Sequence, residues 1–242
     1  MFTKINKYNI TDIMACQRAI VIAPHPDDEV VGCGGILSFL EKKEIDFIFI
    51  FVTSGEQGLN VQLRTKEPYF REKEVPSALH ELGFVNPQIQ FLRFPDGKLA
   101  LHKTEVSLEI QRYIHSYKPN VIFVPSFYEE HPDHSAVSEA LSYCSEISNI
   151  IVSMYEVWSP LRPNCLFKIN EFYSCKMNAL DKYKSQEIFK IKEMSDALSA
   201  YRGCRKLGKN KRYYEAFDIK KGNDYINQTR EFLKYVAKIE HT

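Results

Sequence analysis

Apolar runs bounded by turns alternate along this chain with stretches that repeat their apolar positions at helical spacing. Residues 19–23, 47–53, 89–92, 121–124 and 150–155 are short and rich in Ile, Val and Phe, and several are apolar almost throughout. Such uninterrupted runs fit strands buried on both faces of a parallel sheet. Between them, 34–43, 70–82, 104–117 and 135–148 carry the spacing of amphipathic helices. Gly83 stands where a helix C′ glycine belongs, and Thr104 where an N-cap belongs. The alternation predicts an α/β fold, a mostly parallel sheet with helices on both faces.

After Tyr155 the pattern changes. Pro160 and Pro163 interrupt the chain, and the remainder reads as helical, with helices over 176–192 and 224–239. No internal repeat, low-complexity stretch or Gly/Ser linker divides the sequence. One domain over 1–242 is therefore expected, with a core over about 18–160 and a helical tail over 161–242 that packs on the sheet and helps wall the site. A chain of 242 residues can bury one substantial core of this kind.

Composition narrows the partners rather than the chemistry. The charged fraction is 26% and the formal net charge +1, which marks neither a nucleic-acid partner nor an acidic membrane. Arg202, Arg205, Lys206, Lys209, Lys211 and Arg212 form a basic stretch that reads as a solvated face, with phosphate binding as its functional alternative. The six cysteines show neither Cys-x-x-Cys nor zinc-ribbon spacing, and fit small thiols in a reducing compartment. Residues 1–17 lack the apolar core of a signal peptide. The longest apolar run, 47–52, falls far short of the ~20 residues that span a bilayer. A soluble, cytoplasmic protein is expected.

The candidate chemistry lies in two histidine clusters. Pro24-His25-Pro26-Asp27-Asp28-Glu29 follows the first strand, and His131-Pro132-Asp133-His134 follows the fourth. In an open α/β sheet, ligands gather outside the carboxyl ends of the strands, so both clusters belong at one sheet edge. A hydrolytic metal ion needs three protein ligands and an open position for water. His25, Asp28 and His134 could supply the ligands, while Asp27 could take the water's proton. His131 could stand beside the ion as an imidazolium, stabilise an oxyanion and protonate a leaving amine, with Asp133 orienting it and raising its pKa. Pro26 and Pro132 restrict His25 and His131 to extended backbone. Singly, each histidine or acid would read as an ordinary core or capping residue; the two clusters together read as a site. The run Gly32-Cys33-Gly34-Gly35 matches neither G-x-G-x-x-G nor G-x-x-x-x-G-K-[ST] and reads as a close approach of helix to sheet.

These residues also carry a resemblance. Ala23 through Glu29, Gly32-x-Gly34-Gly35 and His131-Pro132-Asp133-His134 resemble the motifs of the PIG-L/LmbE-like family of zinc-dependent N-deacetylases. The family's leading motif runs Ala-His-Pro-Asp-Asp-Glu, and this chain places Pro24 before the histidine. Weaker matches are Thr53-x-Gly55-Glu56, Arg71-x-x-Glu74 with Leu82-Gly83, Asp96-Gly97, Glu156 with Trp158, Lys176 with Ser185-Gln186, and Glu215-Ala216-Phe217. The resemblance implies a Rossmann-like fold and removal of an N-acetyl group from an amino sugar. It implies zinc held by His25, Asp28 and His134, although Fe2+, Co2+ or Mn2+ suit the same donors. It also implies Asp27 as the base, His131 with Asp133 at the oxyanion, and Arg71 and Asp96 on sugar hydroxyls, where a salt bridge and a turn are the structural alternatives. A homo-oligomer is compatible with it. Two other readings compete. One is an Fe(II) oxygenase with a His25-x-Asp27…His triad; the other is a non-catalytic sugar- or metal-binding relative.

Overall fold

Alternate residues of the central strands point to opposite faces, and here both sets are apolar. Ala19, Val21, Phe47 and Phe49 enter one core, while Ile20, Ile22, Ile48 and Ile50 enter another. A sheet with two apolar faces must be covered on both sides. The structure, a computed structural model, describes residues 10–204 and 212–240. Its elements begin with α1 (Ile10–Met14), β1 (Arg18–Ala23), α2 (Asp28–Glu41), β2 (Asp46–Thr53), α3 (Val61–Lys66), α4 (Phe70–Glu81) and β3 (Gln88–Phe94). They continue with α5 (Lys103–Tyr117), β4 (Val121–Pro125), α6 (Pro132–Ser142), β5 (Ile151–Tyr155), β6 (Cys165–Lys168), α7 (Tyr173–Leu180), α8 (Ile191–Cys204), β7 (Tyr214–Lys221) and α9 (Gly222–Glu240).

The strands form one sheet in the order β3-β2-β1-β4-β5-β7-β6. The first five are parallel, and β7 joins β5 antiparallel. Apolar residues of α2, α4 and α7 cover one face, and those of α5, α6 and α9 cover the other. The expected α/β architecture holds, and all five expected strands are present. No helix among the described residues is long and apolar enough to cross a membrane.

The tail departs from its helical expectation. It does supply helices, but β6 and β7 extend the same sheet, so the sheet runs on past residue 160. The expected helix over 176–192 is instead α7, a 3₁₀ turn at Lys184–Phe189 and the start of α8. Arg202 also leaves the proposed basic face. It is buried, and its guanidinium donates to Glu156 and, at 2.8 Å, to the Leu161 carbonyl. Arg205, Lys206, Lys209 and Lys211 lie outside the described residues, and Arg212 is half-buried.

The glycine run marks where sheet and tail grip α2. A Cβ on Gly32 would stand 2.8 Å from Tyr155 Cγ on β5, the close approach to the sheet that the sequence suggests. Gly34 and Gly35 instead make room for the tail, with Lys176 Cγ at 3.0 Å and Ile169 Cβ at 2.7 Å from such a Cβ. Lys176 Nζ donates to the Val31 carbonyl at 2.8 Å and pairs with Glu215 at 2.7 Å. Glu215 in turn accepts the N–H groups of Gly35 and Ile36, both at 2.8 Å. Val31 and Gly35 are the i and i+4 partners of one helical hydrogen bond, so a buried ion pair inserts into the ladder of α2. That contact fixes the helix whose first turn carries Asp28. Removing one partner of a buried pair strands the other's charge. Lys176→Met should therefore cost about 3–5 kcal/mol of stability in urea unfolding; a loss below about 1 kcal/mol would contradict this role.

Candidate metal centre and reaction pocket

Two adjacent strand ends bring the histidine clusters together. From β1 the strand order runs to β2 and β3 on one side and to β4 and β5 on the other, so the gap between β1 and β4 is the topological switch point. The turn after β1 carries His25 and Asp27, and Asp28 opens α2. Beyond β4, His131 caps α6, with Pro132 in its first turn and His134 one residue later than Asp133.

His25 Nδ1 lies 3.2 Å from Asp28 Oδ2, and His134 Nε2 lies 3.2 Å from the same oxygen. The two ring nitrogens are 3.3 Å apart. Donors ~2.0–2.1 Å from a tetrahedral ion are separated by roughly 3.3–3.4 Å, so these three atoms fit the face of such a tetrahedron. All three side chains are buried. Burial opposes charge on every one of them, yet their mutual contacts dominate. Asp28 is held well below the usual carboxylate range by His134 and His25, and His25 well above the usual imidazole range by Asp133, Asp28 and Asp96.

Carboxylates stand behind both imidazoles. His25 Nε2 is 3.0 Å from Asp96 Oδ1 and 3.3 Å from Asp133 Oδ2. His134 Nδ1 is buried without a hydrogen-bond partner, and Glu129 Oε2 lies 3.6 Å away. Glu129 is held by the N–H groups of Val157, Trp158 and Ser159 at 2.6, 3.1 and 3.2 Å. Outer carboxylates of this kind orient imidazoles that bind metals.

Asp27 is not one of these three donors, and lines the same pocket as His25 and Asp28. Its Oδ2 pairs with Arg71 Nη2 at 2.8 Å, and Arg71 also donates to the carbonyls of Gly55 and Pro26. Burial pushes the Asp27 carboxyl up to about 7; Arg71 opposes the rise and Asp28 adds to it. Its backbone φ is 121°, a conformation L-residues rarely adopt. Glu29 Oε2 accepts the Asp27 N–H at 3.0 Å, while Tyr183 from the tail donates to Glu29 Oε1. Glu29 thus holds the strained residue in place.

The structure gives Asp133 a different task from the one expected. Its carboxylate accepts from Gly97 N at 2.7 Å and Leu99 N at 3.0 Å and backs His25, rather than touching the His131 ring. His131 Nδ1 instead accepts the Asp133 backbone N–H at 3.3 Å, which leaves the proton on Nε2. Burial, with His134 and His25 beside it, holds the His131 pKa below its ordinary value; Asp133 pulls it upward, as expected, but is outweighed.

A pocket of about 240 Å³ opens above these groups. Asp27, Arg71, Asp96, His131, Trp158 and Phe189 are among its lining residues. Arg71 and Asp96 line the pocket and also make structural contacts, Arg71 with Asp27 and Asp96 with the Gln57 N–H. Gln186, Phe189 and Ile191 bring the tail into the wall, as expected. Glu129, Gln57, Tyr183 and Phe189 are absent from the sequence reading. Only Glu129, two residues before His131, offered a local signal.

Glu29 provides a test of this buried arrangement. Burial pushes its carboxyl up to about 8, with Tyr183 opposing. The fold therefore keeps a proton that the unfolded chain loses near pH 4.5. Its contribution is complete below that pH and is lost as pH rises to about 8. In chelator, wild-type stability should fall across this window by on the order of 3 kcal/mol more than that of Glu29→Gln. Parallel pH profiles in denaturant titrations would contradict the assignment.

Comparison with known proteins adds to this geometry. A family model described as PIG-L, GlcNAc-PI de-N-acetylase, matches residues 20–145. A probable N-acetyl-alpha-D-glucosaminyl L-malate deacetylase 2 of Bacillus subtilis is 26% identical over 210 residues, 75% of this chain and 89% of the relative. The diacetylchitobiose deacetylase of Thermococcus kodakarensis is 25% identical over 198 residues, 70% of each chain. The structure of N,N'-diacetylchitobiose deacetylase from Pyrococcus horikoshii matches with a TM-score of 0.78 at 22% identity, over 92% of this chain and 91% of that one, and so shares its fold.

Proposed function

The chain belongs to the PIG-L family described as GlcNAc-PI de-N-acetylase, and on that premise we propose that it is a zinc-dependent hydrolase of N-acetylated amino sugars. The observation that carries this reading is the triangle of His25 Nδ1, Asp28 Oδ2 and His134 Nε2, with Asp27 and His131 beside it. Two imidazoles and a carboxylate suit zinc, and also Fe2+, Co2+ or Mn2+. When bound there, such an ion supplies a Lewis acid that polarises the acetyl carbonyl and brings the pKa of water towards ~7.

The remaining steps belong to the chain. Asp27, aimed by Arg71 and by the strained turn, takes the proton of the attacking water. His131 donates Nε2–H to the oxygen that gains charge, in a partly buried setting where that bond counts for more than in water. The proton on Asp27 then passes to the departing amine, which leaves acetate and a free amino sugar. Asp133 and Asp96 keep His25 Nε2 occupied, so that Nδ1 faces the ion. Arg71 and Asp96, which line the pocket, would meet sugar hydroxyls.

The competing readings fit less well. A His25-x-Asp27 oxygenase triad would need Asp27 among the ligands, but Asp27 pairs with Arg71 while Asp28 joins His25. The sheet is parallel over five strands, unlike the all-β fold expected with that triad. A non-catalytic relative would be expected to lack the base or its partner histidine, and both Asp27 and His131 line the pocket.

The test is acetate release from a panel of N-acetylated glucosamine derivatives by zinc-loaded protein. Asp27→Asn should keep one zinc per chain and lose about 10²–10⁴-fold in kcat. Asp28→Asn should lose the zinc itself. Acetate release by Asp27→Asn at the wild-type rate would remove Asp27 as the base. Wild-type protein that holds zinc and releases no acetate from any member of the panel would overturn the deacetylase reading.

A further inference from the structure

The reaction pocket is small, and it does not end at the tail. Its volume of about 240 Å³ is below the ~300–1,000 Å³ typical of ligand sites. It shares Gln57, Gly58 and Phe189 with a second groove of about 580 Å³. That groove lies between α3 with the start of α4 and the 3₁₀ turn Lys184–Phe189. Leu59, Leu63, Phe70, Ile188 and Phe189 give it an apolar lining. Ile188 and Phe189 stay 81% and 47% exposed and stand side by side next to a polar site. Its charged lining residues, Lys184 and Glu187, pair with each other at 2.9 Å and leave the groove without net charge.

Resting on the hydrolase reading above, we infer that this groove binds an uncharged, apolar aglycone of the amino sugar, while the sugar itself fills the reaction pocket. Three observations converge on that occupant. The groove continues directly from the pocket, so a group attached to the sugar reaches it without a separate entry. Its apolar wall of Leu59, Leu63, Phe70, Ile188 and Phe189 rewards burial of carbon. The one cation among its lining residues, Lys184, is matched by Glu187 at 2.9 Å. An anionic aglycone would lose water against the apolar wall and would compete with Glu187 for Lys184.

The experiment compares methyl, hexyl and malyl glycosides of N-acetylglucosamine as substrates of the zinc-loaded protein. kcat/KM should rise at least tenfold from methyl to hexyl and should not rise from methyl to malyl. Ile188→Glu, at an exposed groove position outside the reaction pocket, should abolish the hexyl gain and leave the methyl rate unchanged. Hydrolysis without a hexyl advantage, or with malyl preferred, would overturn the groove assignment and leave the deacetylase reading standing. Binding is read separately in Asp27→Asn protein by the fluorescence of Trp158, the chain's single tryptophan, which lines the pocket. There the hexyl glycoside should bind at least tenfold more tightly than the methyl, and Ile188→Glu should erase the difference. Equal affinities would overturn the groove even if no glycoside were hydrolysed, whereas a retained difference without hydrolysis would count against the deacetylase alone.

Discussion

Two imidazole nitrogens and one carboxylate oxygen, all buried and all within 3.3 Å of one another, are the constraint around which this molecule is organised. Three electron-rich atoms at that spacing need a positive charge between them, either shared protons or a cation. Without an ion, the opposed pKa directions of Asp28 and His25 express that need. The neighbouring structure serves to keep the three atoms there. Strands β1 and β4 lie side by side, α2 and α6 start directly from their turns, and Asp96, Asp133 and Glu129 back the two rings.

Much of this was legible in the sequence because it rests on local order. Apolar runs such as 47–53 and 121–124 identify the parallel strands, and the two histidine clusters identify the sheet edge at which they meet. What was not legible depends on contacts over long separations. Cys165–Lys168 is only four residues long, too short for periodicity to show it as a strand. Tyr214–Lys221 is buried in runs rather than at alternate positions, and it follows a stretch that reads as helical, so no strand period marks it. Asp133 was assigned to His131 by adjacency, whereas the first turn of α6 directs its carboxylate towards His25, Gly97 and Leu99. Arg202 stands in a basic stretch of sequence, but its partner Glu156 lies 46 residues away along the chain and beside it in space.

The tail has two jobs that a core-and-tail description separates too sharply. Short motifs that seem isolated in sequence meet across this boundary: the tail pair Lys176 and Glu215 clasps Val31 and Gly35 of the core, and Glu74 of the core pairs with Ser185 at 2.9 and 2.6 Å. The first clasp fixes α2 beneath Asp28, and the second anchors the 3₁₀ turn that carries Phe189 into the pocket. Tyr183 completes the link by holding Glu29, which holds Asp27. The geometry of the proposed base is therefore tied to the same segment that walls the apolar groove. Substrate shape and base position share one support.

X-ray absorption at the zinc edge tests the central claim most directly, because it reports the donors and their distances without requiring turnover. Zinc-loaded protein should show only nitrogen and oxygen neighbours at ~2.0–2.1 Å, with outer-shell scattering from two imidazoles. Asp28→Asn should lose that spectrum. A sulfur shell at ~2.3 Å, or scattering from a single imidazole, would place the ion elsewhere and contradict the account.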